Sequence, residues 1–431
     1  MRHDVIVVGG GTAGTVAAIQ SARAGARTLL VEKNGVLGGT MTAAGVSNPG
    51  LFHAWGRPVI AGIGWDLVTK CAAETGQALP DFATPGRPHH TYHVRVDPFV
   101  YAALCGQAVA DAGCELLHHA MVAGVEKADG GWNVQLCTKT GLRPATCRVL
   151  IDCTGDANVC MLAGAPVRVI AEPQPATMSC RADGYDLASV DTEAIDRAFD
   201  RGVRAGELAY TDVSWNPGAA DVHTWLRKRG DNANHLRAQN AHTSEGRTAL
   251  ELEARRSFLR TYRFLRRQEG LQKLRIAHLA QECGVRESVT VVGEETVTVG
   301  DYVSGRLWDD AVCHSFYPID LHELGGDGLD CRPLRPGMVP TVPRGALLPR
   351  GCGPLIAAGR CISSDRLANS ALRAQATCMA TGQAAGALAA LSASRSADPR
   401  QVDRAELRDL LRKHGAIVPA EFAYPTLRNS A

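Results

Sequence analysis

The chain has 431 residues, 45% hydrophobic and 21% charged, with 46 Lys+Arg against 44 Asp+Glu. That composition belongs to a folded chain of two or three units and excludes disorder and fibrous repeats. A formal charge of +2 lacks the basic excess of a nucleic-acid binder, and no apolar run reaches the ~20 residues of a membrane span. MRHD passes straight into VIVVGGG without the pattern of a secretory leader, so a cytoplasmic location is expected. The 14 cysteines include no Cys-x-x-Cys pair and read as reduced, mostly apolar thiols, with no metal site.

The elements follow in chain order. DVIVV (4–8) reads as a fully buried strand, GGGTAGTVAAIQSARAG (9–25) as a glycine-opened helix, and TLLVE (28–32) as a second strand. Such a tight β-α-β unit requires parallel strands and a right-handed crossover. FVYAALCGQAVA (99–110) predicts a helix, ELLHHAMVAGVE and WNVQLCT predict strands, and CRVLIDCTGDAN (147–158) predicts a strand running into a glycine turn. Residues 170–300 are richer in Arg, Asp, Asn and His and contain a long charged helix (248–270). GPLIAAGRCISSD (353–365) returns to strand and glycine turn, followed by a small-residue helix (371–391) and a last helix (402–415). The expected divisions are 1–169 and 301–395 as two parts of one nucleotide-binding domain, 170–300 as an insertion, and 396–431 as a helix and tail.

Gly9-x-Gly11-x-x-Gly14 follows a strand, opens a helix, and is completed by Glu32 at the end of the next strand. Gly9 permits the tight turn, Gly11 lets the backbone approach a pyrophosphate, and Gly14 brings helix against strand. Thr12 and Ala13 occupy the helix start that faces the phosphates, and Glu32 accepts from a ribose diol. The pattern predicts a dinucleotide with a free 2′-hydroxyl.

A second glycine-rich loop, KNGVLGGTM (33–41), follows directly. With it, the sequence resembles the FAD-dependent oxidoreductases related to the fumarate reductase and succinate dehydrogenase flavoproteins. The resemblance extends to GVRES (284–288), FYPIDLHE (316–323) and RLANSALRAQATCMATGQAAG (366–386). It implies an α/β fold: a discontinuous, Rossmann-like FAD-binding domain of the glutathione-reductase type with an inserted α+β substrate or capping domain. It implies that Lys33, Gly38, Gly39, Thr40 and Val122 lie along FAD, that Thr154, Gly155 and Asp156 return to it, and that Gly359 and Arg360 precede a helix aimed at the flavin pyrimidine. Members that attach FAD covalently carry His after the Gly-Gly pair; Thr40 stands there in this chain, so the expected FAD is non-covalent.

Polar residues in apolar or glycine-rich contexts supply the substrate candidates. Arg286, His314 and Arg373 are expected to bind or protonate an anion, and His53, Arg57 and Glu287 are further candidates. Arg286 and Glu287 read equally as a buried ion pair, and His53 and His314 as structural histidines. His89-His90-x-x-His93 invites a metal, but a loop-to-strand segment fits better. Arg256, Arg260, Arg263 and Arg267 read as a solvated helix face. The expected activity is hydride exchange between flavin and a small polar molecule, a carboxylate by preference, with an electron partner that the sequence does not name. A flavin monooxygenase is the alternative, although no second dinucleotide fingerprint provides for a nicotinamide. A tRNA-modifying flavoprotein or a flavin-binding scaffold is the third reading, disfavoured by the near-zero charge.

Overall fold

The computed structural model describes residues 1–84 and 87–419, so the tail assigned to 396–431 lies outside the described residues beyond 419. Its centre is a five-stranded parallel sheet in the order Leu355–Ala357, Val149–Asp152, Val5–Val8, Thr28–Glu32, Glu115–His118. Val5 lies opposite Thr28 on one side and Val149 on the other. Because both faces are covered, the central strand is apolar at every position rather than alternating. Segments 150 and 350 residues from the start thus complete the sheet that residues 5–32 begin, and the parallel sheet is assembled discontinuously.

Period-two alternation sorts the side chains between two layers. Val5, Val7, Leu30 and Ile151 point to the helices, whereas Ile6, Val8, Leu29 and Val31 point to a three-stranded antiparallel sheet, Met121–Ala128, Gly131–Thr138 and Gly141–Cys147. On the helix side, Thr12–Arg23 packs against Gln375–Arg395 at backbone distance. A Cβ on Gly382 would stand 2.2 Å from the Ala13 carbonyl oxygen, and one on Gly386 would stand 2.3 Å from that of Ala17. The small-residue helix therefore serves close packing.

Residues beyond the fourth strand leave and re-enter through an antiparallel pair, Val167–Val169 with Val289–Val291. Between them lie two further apolar clusters, one around Phe199, Trp225, Phe264 and Leu265, the other around Met178, Leu236 and Ala254. The helix Ser244–Leu265 supplies side chains to both. Its arginine face is not uniformly solvated: Arg260 makes a bidentate pair at 2.7 Å with buried Asp212, while Arg256 is exposed. All fourteen cysteines are free and most are buried. Among the described residues, no helix is long and apolar enough to cross a membrane.

Two expected elements divide. The strand over 115–126 is two, Glu115–His118 and Met121–Ala128, because His119 turns the chain with φ 54°. The helix over 371–391 is preceded by a separate short one, Arg366–Leu372; Ala374, at φ −54° and ψ 135°, breaks the path before Gln375–Arg395 begins.

Candidate functional site

The carboxyl ends of the strands open onto a cavity of about 1670 Å³, larger than the ~300–1,000 Å³ of an ordinary small-ligand pocket. Its floor is the glycine fingerprint. Gly9 turns with φ 95°, and a Cβ there would meet the Cys153 carbonyl oxygen at 2.6 Å. A Cβ on Gly14 would stand 1.7 Å from the Gly9 oxygen, so this glycine lets the helix touch the turn. At Gly11 nothing lies closer than the Gly39 Cα at 3.9 Å, and that face is open to the cavity. The helix that starts at Thr12 has no side-chain cap, which leaves its first-turn N–H groups and positive dipole end for an anion. The second glycine loop lies on the first: Gly38 N–H donates to the Gly10 oxygen at 2.8 Å, and Gly38 and Gly39 both take left-handed φ.

Glu32 is anchored at both carboxylate oxygens. One carboxylate oxygen accepts from Gly10 N–H at 2.6 Å, the other from Asn34 N–H at 2.7 Å, and the side chain lines the cavity. Burial raises its pKa, opposed by those two backbone donors. Across the floor, Asp156 accepts from Arg360 at 2.6 Å and from Ser288 at 2.5 Å, tying the fourth strand's exit to the fifth's. Gly9, Gly11, Thr12, Ala13, Glu32, Lys33, Gly39, Thr40, Val122, Thr154, Gly155, Asp156, Gly359 and Arg360 all line this one cavity. Gly14 and Gly38 sit behind the lining. An open glycine face, an uncapped helix start and a carboxylate with two anchored oxygens match the phosphate and ribose ends of a dinucleotide.

The remainder of the cavity holds Arg286 and Arg373. Arg286 donates to the Pro175 carbonyl at 2.5 Å and to Asn232 Oδ1 at 2.9 Å; burial, then the neighbouring Arg373 charge, lowers its pKa to about 9. Arg373 closes the short helix Arg366–Leu372. Its Nη2 donates to the Asp320 carbonyl at 2.8 Å, to Asp320 Oδ2 at 3.1 Å and to Gln174 Oε1 at 3.2 Å, while its buried Nε–H has no partner. Burial raises the Asp320 pKa, but the His322 hydrogen bond and Arg373 overcome it and hold the carboxyl below its usual range. Two guanidinium groups thus face one carboxylate, an excess of positive charge suited to an anion.

Four candidates fall outside the lining. Glu287 is fully buried and does not pair with Arg286; the two side chains diverge from consecutive positions. Glu287 accepts from Gln174 N–H at 2.7 Å, Gln174 Nε2 at 2.9 Å and Arg366 Nε at 2.9 Å. Because a carboxylate only accepts, the Gln174 amide must turn its nitrogen to Glu287 and its oxygen to Arg373 and the His322 N–H. His314 is completely buried in the strand Ala311–His314, where burial lowers its pKa to about 4. His53 stacks on Phe82 at 3.8 Å, and Arg57 is exposed on the short strand paired with it. These places suit packing and solvent rather than substrate.

The cavity also takes residues that the sequence reading set aside. His89, His90 and His93 reach it from a short helical turn held against Tyr317, with His93 stacked on that ring at 6.0 Å. Burial, then His89, lowers the His93 pKa to about 4. Among the described residues no group of His, Cys, Asp or Glu side chains is arranged to hold a metal. Asn48 Oδ1, His93 Nε2, Trp215 Nε1, Asp231 Oδ1 and Gln375 Oε1 join Arg373 Nε as buried polar atoms without partners on cavity-lining residues. Unmet buried polar groups are rare in folded chains, and these six lie on residues that line one cavity. His235 Nε2 and His322 Nδ1 share a hydrogen bond at 2.8 Å, and His322 Nε2 lies 3.6 Å from Asp320, a chain behind Arg373 visible in sequence only as part of FYPIDLHE.

Known proteins supply short and long likenesses. A dihydrolipoyl dehydrogenase of Trypanosoma brucei brucei is 51% identical over 53 residues, 12% of this chain and 11% of that one. A leghemoglobin reductase of Glycine max is 45% identical over 54 residues, 12% and 10% respectively. The chain therefore spans about a tenth of the length of these curated relatives. Among solved structures, a geranylgeranyl bacteriochlorophyll reductase-like protein of Thermoplasma acidophilum is 14% identical with a TM-score of 0.45, covering 96% of this chain and 83% of that one. BexE is 13% identical with a TM-score of 0.46, covering 96% and 66%. The model of the FAD dependent oxidoreductase family matches residues 4–411; the chain belongs to that family and is an oxidoreductase with FAD as its cofactor.

Proposed function

We propose that this oxidoreductase exchanges a hydride between non-covalently held FAD and a small carboxylate-bearing substrate, and that residues 170–300 cap the reacting pair. The observation that carries the reading is the convergence of Arg286 and Arg373 in the cavity that continues from the dinucleotide floor. Bound FAD supplies the hydride acceptor or donor. The residues of this chain do the rest. Gly11, the Thr12 helix start and Glu32 hold the pyrophosphate and ribose, and Gly38–Thr40 lie along the cofactor. Arg373 offers its unpartnered Nε–H and Arg286 its charge to a carboxylate, fixing the adjoining carbon in plane. Walls built from Tyr317, Trp215 and the 228–247 segment exclude water. The same Gly38-Gly39-Thr40 loop and Gly359-Arg360 turn support a relation to the fumarate reductase and succinate dehydrogenase flavoproteins.

Acid precipitation should release yellow flavin into the supernatant; flavin held in the pellet contradicts non-covalent binding. In Arg286→Lys and Arg373→Lys, binding of dicarboxylates and enoates should weaken about tenfold or more, the scale of a charge-assisted hydrogen bond. Altered flavin potential in both variants, with no carboxylate perturbing the wild-type spectrum, would assign the arginines to the cofactor instead.

A further inference from the structure

The wall of the cavity beside Arg286 is built in part by a loop with unusual backbone. Between the short helix Val222–Arg227 and Asn232, the residues Arg229, Gly230 and Asn232 all take left-handed φ, of 57°, 83° and 43°. Side chains other than glycine rarely adopt this conformation, and where it is retained the surroundings hold it. Here a Cβ on Gly230 would meet Cys180 Sγ at 2.3 Å, so the chain is pressed against the cluster beneath it. The result is that Lys228, Asp231 and Asn232 are presented to the cavity together with Trp215.

Hydrogen bonding at this wall is incomplete in a specific way. Lys228 and Arg229 are already occupied. Lys228 sits 4.1 Å over the Trp215 ring and donates to the Asn232 carbonyl at 3.4 Å, Arg229 pairs with Asp183, and Arg286 bonds Pro175 and Asn232. Arg95 is exposed, lines the same cavity and lies near enough to Asp231 to stabilise its charged form. On the cavity-lining residues here the unmet buried atoms include an acceptor, Asp231 Oδ1, and a donor, Trp215 Nε1–H. The indole plane is fixed by its stack on His235 at 6.1 Å and its edge contact with His322 at 5.1 Å.

We propose that Asp231 and Trp215 form the recognition site for the far end of the substrate and select a hydroxyl group, making the substrate a hydroxylated carboxylate rather than a dicarboxylate or an alkyl acid. The proposal rests on the carboxylate reading for the near end. A hydroxyl donates to Asp231 and accepts from Trp215, meeting both needs. A carboxylate only accepts and leaves Asp231 facing a like charge; an ammonium only donates and adds a cation beside Lys228; a methyl does neither. A site built to hydrogen-bond a hydroxyl rejects analogues that lack it, because its own buried groups are then stranded.

Calorimetric titration of the FAD-loaded protein with 4-hydroxybutyrate, gluconate, succinate, butyrate and sorbitol tests this directly. The two hydroxylated acids should bind at least about tenfold more tightly than succinate or butyrate. Asp231→Asn and Trp215→Phe, each checked for normal flavin content, should shrink that advantage several-fold; either variant suffices if the other does not fold. Succinate or butyrate binding as tightly as 4-hydroxybutyrate, or an advantage untouched by both variants, overturns the proposal. Sorbitol binding that Asp231→Asn weakens, with no gain from a carboxylate, would sustain the hydroxyl site and overturn the near-end reading. Binding by none of the five overturns both.

Discussion

At Gly11 and Gly14, three residues apart, the same substitution has opposite consequences. The Gly14 Cβ position is 1.7 Å from the Gly9 oxygen, so Gly14→Val forces the helix off the turn and should leave little folded protein. At Gly11 the nearest atom is 3.9 Å away, so Gly11→Val should fold normally yet purify with little flavin, because the side chain occupies pyrophosphate space. Circular dichroism together with flavin content separates the two outcomes; a Gly11→Val protein with full flavin contradicts the cradle. Glu32→Ala blocks nothing and should cost FAD binding ~1.5–3 kcal/mol. These residues are legible in sequence because each acts through local backbone geometry, and spacing alone encodes that. Arg286 and Glu287 illustrate the opposite case. They are adjacent in the chain, yet one reaches the cavity while the other turns away to Gln174 and Arg366, a difference decided by what packs against each side.

Among the elements, the short helix ending at Arg373 and the long one beginning at Gln375 depend on what lies beneath them. Glu287 fixes the Gln174 amide, whose oxygen holds Arg373 at 3.2 Å and the His322 N–H at 3.0 Å. Glu287→Gln removes the charge and lets either amide reverse, which turns an N–H toward the guanidinium. Carboxylate affinity should then fall several-fold with flavin content unchanged, and Glu287→Asp should recover part of the loss; equal binding in Glu287→Gln would show that Arg373 is held without this support. The break at Ala374 is not legible in the sequence. Ala, Leu and Arg before it and Gln, Ala and Met after it favour helix, with no Pro or Gly beside it to announce a stop. The first β-α-β unit is legible because one strand is wholly apolar, the other has an apolar Leu-Leu-Val centre, and the helix opens on glycine. The histidine turn at 89–92 is not legible as part of the cavity wall, because its approach to Tyr317 links positions over two hundred residues apart.

Over the whole molecule, the interior stores a pH dependence. Burial is the main cause of the lowered pKa values of His93 and His314, both to about 4, of His322, to about 3, and of His235, to about 2. The unfolded chain titrates these groups near 6.5, so below that pH it binds protons that the folded state refuses. Stability is therefore full above about pH 6.5 and declines as pH falls toward 4, by at most ~1.4 kcal/mol per pH unit for each histidine. Denaturant titrations at pH 7, 6 and 5 should show the decline, with a shallower slope in His314→Gln; equal stability at all three values contradicts it. The core of the parallel sheet, assembled from both ends of the chain, is legible because Val5–Val8, Val149–Asp152 and Leu355–Ala357 are mainly apolar runs that lead into glycine turns. The wall around Trp215, Lys228 and Asp231 is not, since these residues line one cavity with the strand ends only in the folded chain.

The central claim is that one cavity joins FAD to a carboxylate positioned by Arg286 and Arg373. Its most direct test is anaerobic mixing of the photoreduced, FAD-loaded protein with a panel of enoate and 2-oxo carboxylates, following return of the oxidised flavin spectrum. The account predicts that at least one carboxylate reoxidises the flavin with a saturable rate, and that Arg373→Lys raises the half-saturating concentration about tenfold or more. Reoxidation by oxygen alone, with every carboxylate and hydroxycarboxylate inert in both directions, would contradict it.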